Sequence, residues 1–218
     1  MSAARAASSG GNGWAASLAW NRTTIACLFT VAAMVLGGGG SGASETELAL
    51  QLIAALACAA WIALPPLTPA VPLSRAVLAL GALVLALPLV QLVPLPPVLW
   101  QALPGRADEV ASLALVGAAD RWMPWSMTPA RTLASLLATV PPVIAMAMAS
   151  RLDRRGRNAL LATIVVVAFA SVLLGAMQLA SGATGGWQLY SPAHVGYLIG
   201  FQANRNAQAD VLLVAILA

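Results

Sequence analysis

The chain has 218 residues, of which 60% are hydrophobic and only 8% are charged, and its formal net charge is +4. Soluble domains usually carry about 25% charged residues, so this composition excludes a soluble globular protein and predicts an integral membrane protein. All 11 basic residues are arginines near the ends of apolar segments, which is typical of membrane topology and argues against a nucleic-acid-binding protein.

Apolar runs divide the chain into membrane-spanning segments. A bilayer core about 30 Å thick needs roughly 20 apolar residues in helical form. The sequence therefore predicts an all-α, polytopic transmembrane helical bundle with about five complete spans and the start of a sixth. The complete spans cover 23–40, 48–64, 76–93, 133–149 and 159–179, and the sixth begins near Val211.

The remaining residues form a tail and loops. Residues 1–22 are predicted to be a cytoplasmic N-terminal tail, 23–93 hold spans one to three, and 133–179 hold spans four and five. The first span has an alternative interpretation as a signal peptide, because Arg22 precedes a short apolar run that ends in small residues.

Charge asymmetry orients the predicted bundle. With a cytoplasmic N-terminus, the inner side carries one acid, Asp153, and seven arginines: Arg5, Arg22, Arg75, Arg151, Arg154, Arg155 and Arg157. The outer side carries four arginines and six acids. Since short loops rich in arginine stay in the cytoplasm, two longer segments, 94–132 and 180–209, are predicted to be periplasmic. The first is rich in proline and tryptophan, and its apolar pieces around Leu99 and Leu113 predict short interfacial helices.

The stretch "GFQANRNAQAD", residues 200–210, precedes the sixth span at the predicted outer face. A helix N-terminus exposes unpaired amides and a partial positive charge, and both favour anions. Arg205 would add a guanidinium that can bind phosphate through two hydrogen bonds, and either Asn204 or Asn206 could cap the helix. The alternative is that Arg205 only anchors the helix among lipid head groups.

Three other side chains are possible accessory residues. Asp210 is an acid inside an apolar segment, and such groups usually face a partner or a wet cavity. Its five-residue separation from Arg205 is about 140° around a helix, so the two are not expected to pair directly. His194 is the local candidate for proton transfer, because histidine is the side-chain type whose unperturbed pKa lies near neutrality. Arg131 could reach a lipid phosphate at the start of span four. No metal-ligand cluster or nucleotide-binding motif occurs in the sequence, so no metal or cofactor is predicted.

Three stretches resemble the O-antigen ligase and O-antigen polymerase family of bacterial inner-membrane proteins. They are "QLVPLPPVLWQALPGR" (91–106), "WMPWSMTPARTLASLL" (122–137) and "GFQANRNAQAD". The third looks like the entrance to the family's core domain, and its matching residues are Gly200, Phe201, Asn204, Arg205, Asn206 and Ala209. It departs from the family pattern at Ala207, often a histidine in relatives, and at Asp210, usually apolar.

The resemblance implies a function at the periplasmic face of the bacterial inner membrane. The donor would be a polyprenyl-diphosphate-linked glycan, passed to a glycolipid acceptor such as lipid A core by a ligase, or to another glycan by a polymerase. Arg205, Asn204 and Asn206 would bind the donor diphosphate, and no catalytic base is assigned. Residues 210–218 would then be the incomplete start of the family's core domain, so the chain is expected to be a truncated form that is inactive alone.

Two interpretations from other protein classes stay open. In a transporter half, Arg205 and Asp210 would line a path. In a structural membrane subunit, Arg205 would be an interfacial anchor.

Overall fold

The computed structural model describes residues 21–38, 44–65, 72–182, 187, 189–190 and 196–218. Within these ranges the chain forms eight helices: α1 (Arg22–Leu36), α2 (Ser44–Ala63), α3 (Arg75–Leu92), α4 (Pro97–Trp100), α5 (Ala107–Leu115), α6 (Pro129–Arg151), α7 (Arg154–Ser181) and α8 (Arg205–Leu217). Two short strands, β1 (Pro94–Leu95) and β2 (Met123–Pro124), pair antiparallel. The predicted all-α helical bundle is confirmed.

Four helices, α2, α3, α6 and α7, have the length and apolar composition needed to cross a membrane. The first predicted span, 23–40, corresponds to α1, which has 15 residues and a length of about 22 Å. The described residues therefore contain four helices of full span length instead of the five that were predicted. The reason is that α1 ends at Leu36, and its C-cap Gly37 begins a run of glycines, which have a low propensity for helix.

The core of the bundle lies where α1 meets α2 and α6. Phe29 and Ile25 of α1 pack with Trp61 of α2 and Met148 of α6 in one buried cluster. The clustered residues show that α1 runs antiparallel to both neighbours. On its other side α1 packs against α7, α3 packs against α6, and α8 packs against α7.

Several arginines lie together at one end of this bundle. The Arg22 Nε donates to the Leu64 carbonyl at the end of α2 (3.0 Å), and its guanidinium lies 5.6 Å from the Trp61 ring centre. A Cβ on Gly156, in the first turn of α7, would lie 2.9 Å from the Thr23 hydroxyl, so α1 and α7 begin side by side. Only two residues separate the end of α6 from the start of α7, so four more arginines lie at this end: Arg151, Arg154, Arg155 and Arg157.

The charge pattern thus separates along the bundle as the sequence predicts. Asp153, the acid at the basic end, caps α7 by accepting from the Gly156 amide (2.7 Å). Which side of a membrane this end faces stays a prediction.

The segment between α3 and α6 folds back on itself at the opposite end of the bundle. Helices α4 and α5 contain Leu99 and Leu113, the two places at which short helices are predicted. Trp100 is fully buried, and its indole donates to the Arg121 carbonyl (2.9 Å). The buried Arg106 donates to the carbonyls of Pro124 (2.8 Å) and Trp125 (2.6 Å). These long-range bonds give the segment 93–128 a defined tertiary structure.

Candidate functional site

The candidate site is the start of α8, and Asn204 sets where that helix begins. Its backbone is extended, and its side-chain oxygen accepts from the Ala207 amide (2.9 Å). Of the two possible caps, Asn204 therefore fills this role. The helix begins at Arg205, six residues before the apolar run at Val211, so Arg205 and Asn206 occupy its first turn.

Arg205 presents a positive charge that no described carboxylate compensates. Its guanidinium carbon lies 4.4 Å from the centre of the Tyr197 ring, within the range of a cation–π contact. The side chain is exposed, and no carboxylate of a described residue lies within ion-pair distance of it. Asn206 is also exposed. The ring orders the guanidinium without neutralising it, so its hydrogen-bond donors remain available to an anion.

Helix α7 anchors the turn that precedes Arg205. Gln178 accepts from the Gly200 amide (2.9 Å) and donates to the Gly200 carbonyl (2.9 Å) and to the Trp187 carbonyl (3.1 Å). The Ser171 hydroxyl accepts from the Phe201 amide (3.0 Å). Ser171 and Gln178 are seven residues apart, two turns along one face of α7.

Small residues on this face permit the close approach. A Cβ on Gly175 would lie 2.6 Å from the Leu198 side chain, and a Cβ on Gly200 would overlap Ser171. Gly200 also has a φ of +58°, a conformation that favours glycine. The segment 198–201 consequently lies directly on α7.

The end of α1 provides a second anchor. The Gln202 side chain donates to the Met34 carbonyl (3.1 Å), and the Ala203 amide donates to the Gly38 carbonyl (2.6 Å). Helix ends leave carbonyls without helical partners, so these bonds satisfy groups that α1 itself cannot pair. The C-terminal end of α1 therefore holds the turn that precedes Arg205.

One side of α8 is buried and the other is open. Gln208 is 1% exposed and accepts from the Ser171 hydroxyl (2.8 Å), while its Nε2 has no hydrogen-bond partner among the described residues. Asp210 is exposed and forms no ion pair with Arg205. This agrees with the angle of about 140° between the two side chains.

The remaining predicted residues do not gather at this site. Arg131 is exposed in the first turn of α6, and none of the hydrogen bonds or ion pairs described here joins it to Arg205. His194 lies outside the described residues. Burial raises the pKa of the Tyr190 phenol, so this group stays a neutral hydroxyl at physiological pH. Among the described residues, no group of three potential ligands could hold a metal ion.

Sequence reasoning identified the charged residue of this site but missed the groups that hold it. Gln178 was recognisable only as a polar residue near the end of a span, and Ser171 and Tyr197 gave no signal. Their roles depend on contacts between residues distant in sequence, such as that between Gln202 and Met34.

No protein-family model, no curated protein and no solved structure matches this chain.

Proposed function

We propose that this membrane protein binds the diphosphate of a polyprenyl-linked glycan at the start of α8. The glycan would be transferred to an acceptor such as lipid A core at the periplasmic face, as the resemblance to O-antigen ligases implies. The observation that supports the proposal most directly is the exposed Arg205 guanidinium at a helix N-terminus, stacked on Tyr197 and paired with no carboxylate of a described residue.

The local electrostatics favour an anion such as a diphosphate over a neutral ligand. A guanidinium offers parallel donors that match two phosphate oxygens, and the first turn of α8 adds a partial positive charge. The same positive charge would stabilise a diphosphate as it departs from the glycan during transfer. Asn206, exposed in that turn, would donate a further hydrogen bond from its amide.

The location of the site supports a periplasmic reaction. Arg205 lies at the end of the bundle opposite the arginine cluster of α6 and α7. If that cluster stays in the cytoplasm, as short arginine-rich loops do, Arg205 faces the outer leaflet.

Binding of a polyprenyl diphosphate to the protein in lipid nanodiscs tests the proposal. Replacing Arg205→Ala removes a charge-assisted pair of hydrogen bonds worth about 1.5–3 kcal/mol, so we expect the affinity to fall by about 10- to 100-fold. Arg205→Lys keeps the charge but loses the paired donors, and we expect an intermediate loss.

Arg157→Ala is the matched control, since Arg157 is exposed at the opposite end of the bundle. The Arg157→Ala protein should bind polyprenyl diphosphate with the affinity of the wild type. An Arg205→Ala protein that binds polyprenyl diphosphate as tightly as the control would contradict the proposal and favour a role in anchoring.

A further inference from the structure

We infer that Gln178 is a positioning residue for Arg205, because its amide fixes the turn that brings Arg205 and Tyr197 together. The inference rests on the proposed function only for its ligand-binding readout. Gln178 acts through the backbone of Gly200 and would not itself touch the ligand.

The contacts of Gln178 are those of a buried clamp. The side chain is 2% exposed, and its amide both accepts from and donates to the main chain of Gly200, at 2.9 Å each. A side-chain amide can make this paired arrangement because it carries a donor and an acceptor on one planar group. The second donor reaches the Trp187 carbonyl (3.1 Å), so one side chain holds two points of the segment that follows α7.

The clamp acts at the centre of the turn that forms the site. Gly200 follows Tyr197 by three residues and precedes Arg205 by five, and the chain reverses between them so that guanidinium and ring lie 4.4 Å apart. The positive φ of Gly200 and its close contact with Ser171 leave little freedom at this point. A shift of Gly200 would therefore change the geometry of Arg205 and Tyr197 while leaving both side chains intact.

The substitution Gln178→Glu isolates the donors of the clamp. It keeps the shape and one acceptor, but it places a carboxylate oxygen against the carbonyls of Gly200 and Trp187. The matched control is Gln91→Glu: Gln91 is half-buried at the same end of the bundle, and its side chain bonds to no described residue. For polyprenyl diphosphate in nanodiscs, we expect about tenfold weaker binding for Gln178→Glu and unchanged binding for Gln91→Glu.

A double variant separates positioning from general destabilisation. If Gln178 acts through Arg205, adding Gln178→Glu to Arg205→Ala should weaken binding no further. Equal losses in both backgrounds would overturn the inference, because they would show an effect independent of Arg205.

A measurement without ligand makes the test independent of the proposed function. A spin label at Arg205→Cys, with Cys27 and Cys58 replaced by alanine, should become more mobile in the Gln178→Glu protein and stay unchanged with Gln91→Glu. An unchanged label would overturn the inference. If the wild type binds no polyprenyl diphosphate but the label responds, the proposed function fails and the positioning role stands.

Should Gln178→Glu not fold, Gln178→Asn takes its place with the same expected outcomes. This substitution keeps the amide but makes the side chain one methylene shorter.

Discussion

Gly200 and Asn204 fix the backbone on the approach to Arg205, each for a different reason. Gly200 combines a φ of +58° with a contact against Ser171 that excludes a side chain. Asn204 has an extended backbone and supplies the side-chain oxygen that caps α8. The position of Arg205 therefore depends on Gly200 and Asn204, and few other residue types could replace either of them.

Replacing Gly200→Ala should destabilise the protein more than replacing Gly117→Ala. Both glycines have a positive φ, at which an alanine costs about 1–2 kcal/mol, but a Cβ on Gly117 would meet no atom within 4 Å. At Gly200 the overlap with Ser171 adds about 1–3 kcal/mol of overpacking. Reversible unfolding in mixed micelles measures the difference. Equal losses of stability would mean that α7 moves aside without cost.

The local sequence predicted the polar residues of the site better than its geometry. Arg205 and a capping asparagine follow from the chemistry of a helix start, which involves neighbours in the chain. The stacking of Arg205 on Tyr197 and the bonds from Gln178 bring together residues 8 and 22 positions apart. Hydropathy and spacing carry no information about such pairs, so this part of the site could not be predicted.

The segment 93–128 depends on Arg106, a buried cation that bonds to the main chain of β2 and beyond it. Its guanidinium also pairs with Glu109 on α5, so it joins this helix to Pro124 and Trp125. Since every partner lies within the segment, Arg106 stabilises this unit directly. A lysine has neither the reach nor the planar set of donors to replace these bonds.

Arg106→Lys should therefore open the segment while leaving the bundle intact. Losing one or two buried hydrogen bonds costs about 1–3 kcal/mol each. We therefore expect the amides within 93–128 to exchange at least about tenfold faster than in the wild type. Hydrogen–deuterium exchange with mass spectrometry measures this. Arg121→Lys serves as the control, since the Arg121 side chain is exposed and bonds to no described residue. Comparable exchange in both variants would show that the Arg106 bonds do not determine the fold of this segment.

The elements were predictable to the extent that apolar runs determine them. The spans expected at 76–93 and 133–149 correspond closely to α3 and α6. The first span was overestimated, because the glycines at 37–40 were counted as part of an apolar run although glycine has a low propensity for helix. Hydropathy registers neither this propensity nor the bond from the Ala203 amide to the Gly38 carbonyl, which lies just beyond the end of α1.

Charge is distributed unequally between the two ends of the molecule. The arginines near the start of α7 lie at one end, and Arg205, Arg106 and the folded segment 93–128 lie at the other. The sequence predicted this separation because alternating helices carry successive loops to opposite ends. The assignment of the ends to cytoplasm and periplasm is a prediction from the positive-inside rule.

Single-cysteine labelling tests that assignment. In a protein lacking Cys27 and Cys58, a membrane-impermeant maleimide should label Arg121→Cys in intact spheroplasts and Arg155→Cys only after lysis. Both side chains are exposed, so accessibility within the protein does not distinguish them. The reverse pattern would place Arg205 on the cytoplasmic side, where the proposed donor could not reach it.

The stacking of Arg205 on Tyr197 has an entropic consequence. A free arginine side chain loses up to about 2 kcal/mol of rotamer entropy when it is immobilised. Contact with the aromatic ring imposes part of this loss during folding, before any phosphate arrives. Association with an anion would then require less additional ordering, so the bound state gains more from each hydrogen bond that forms.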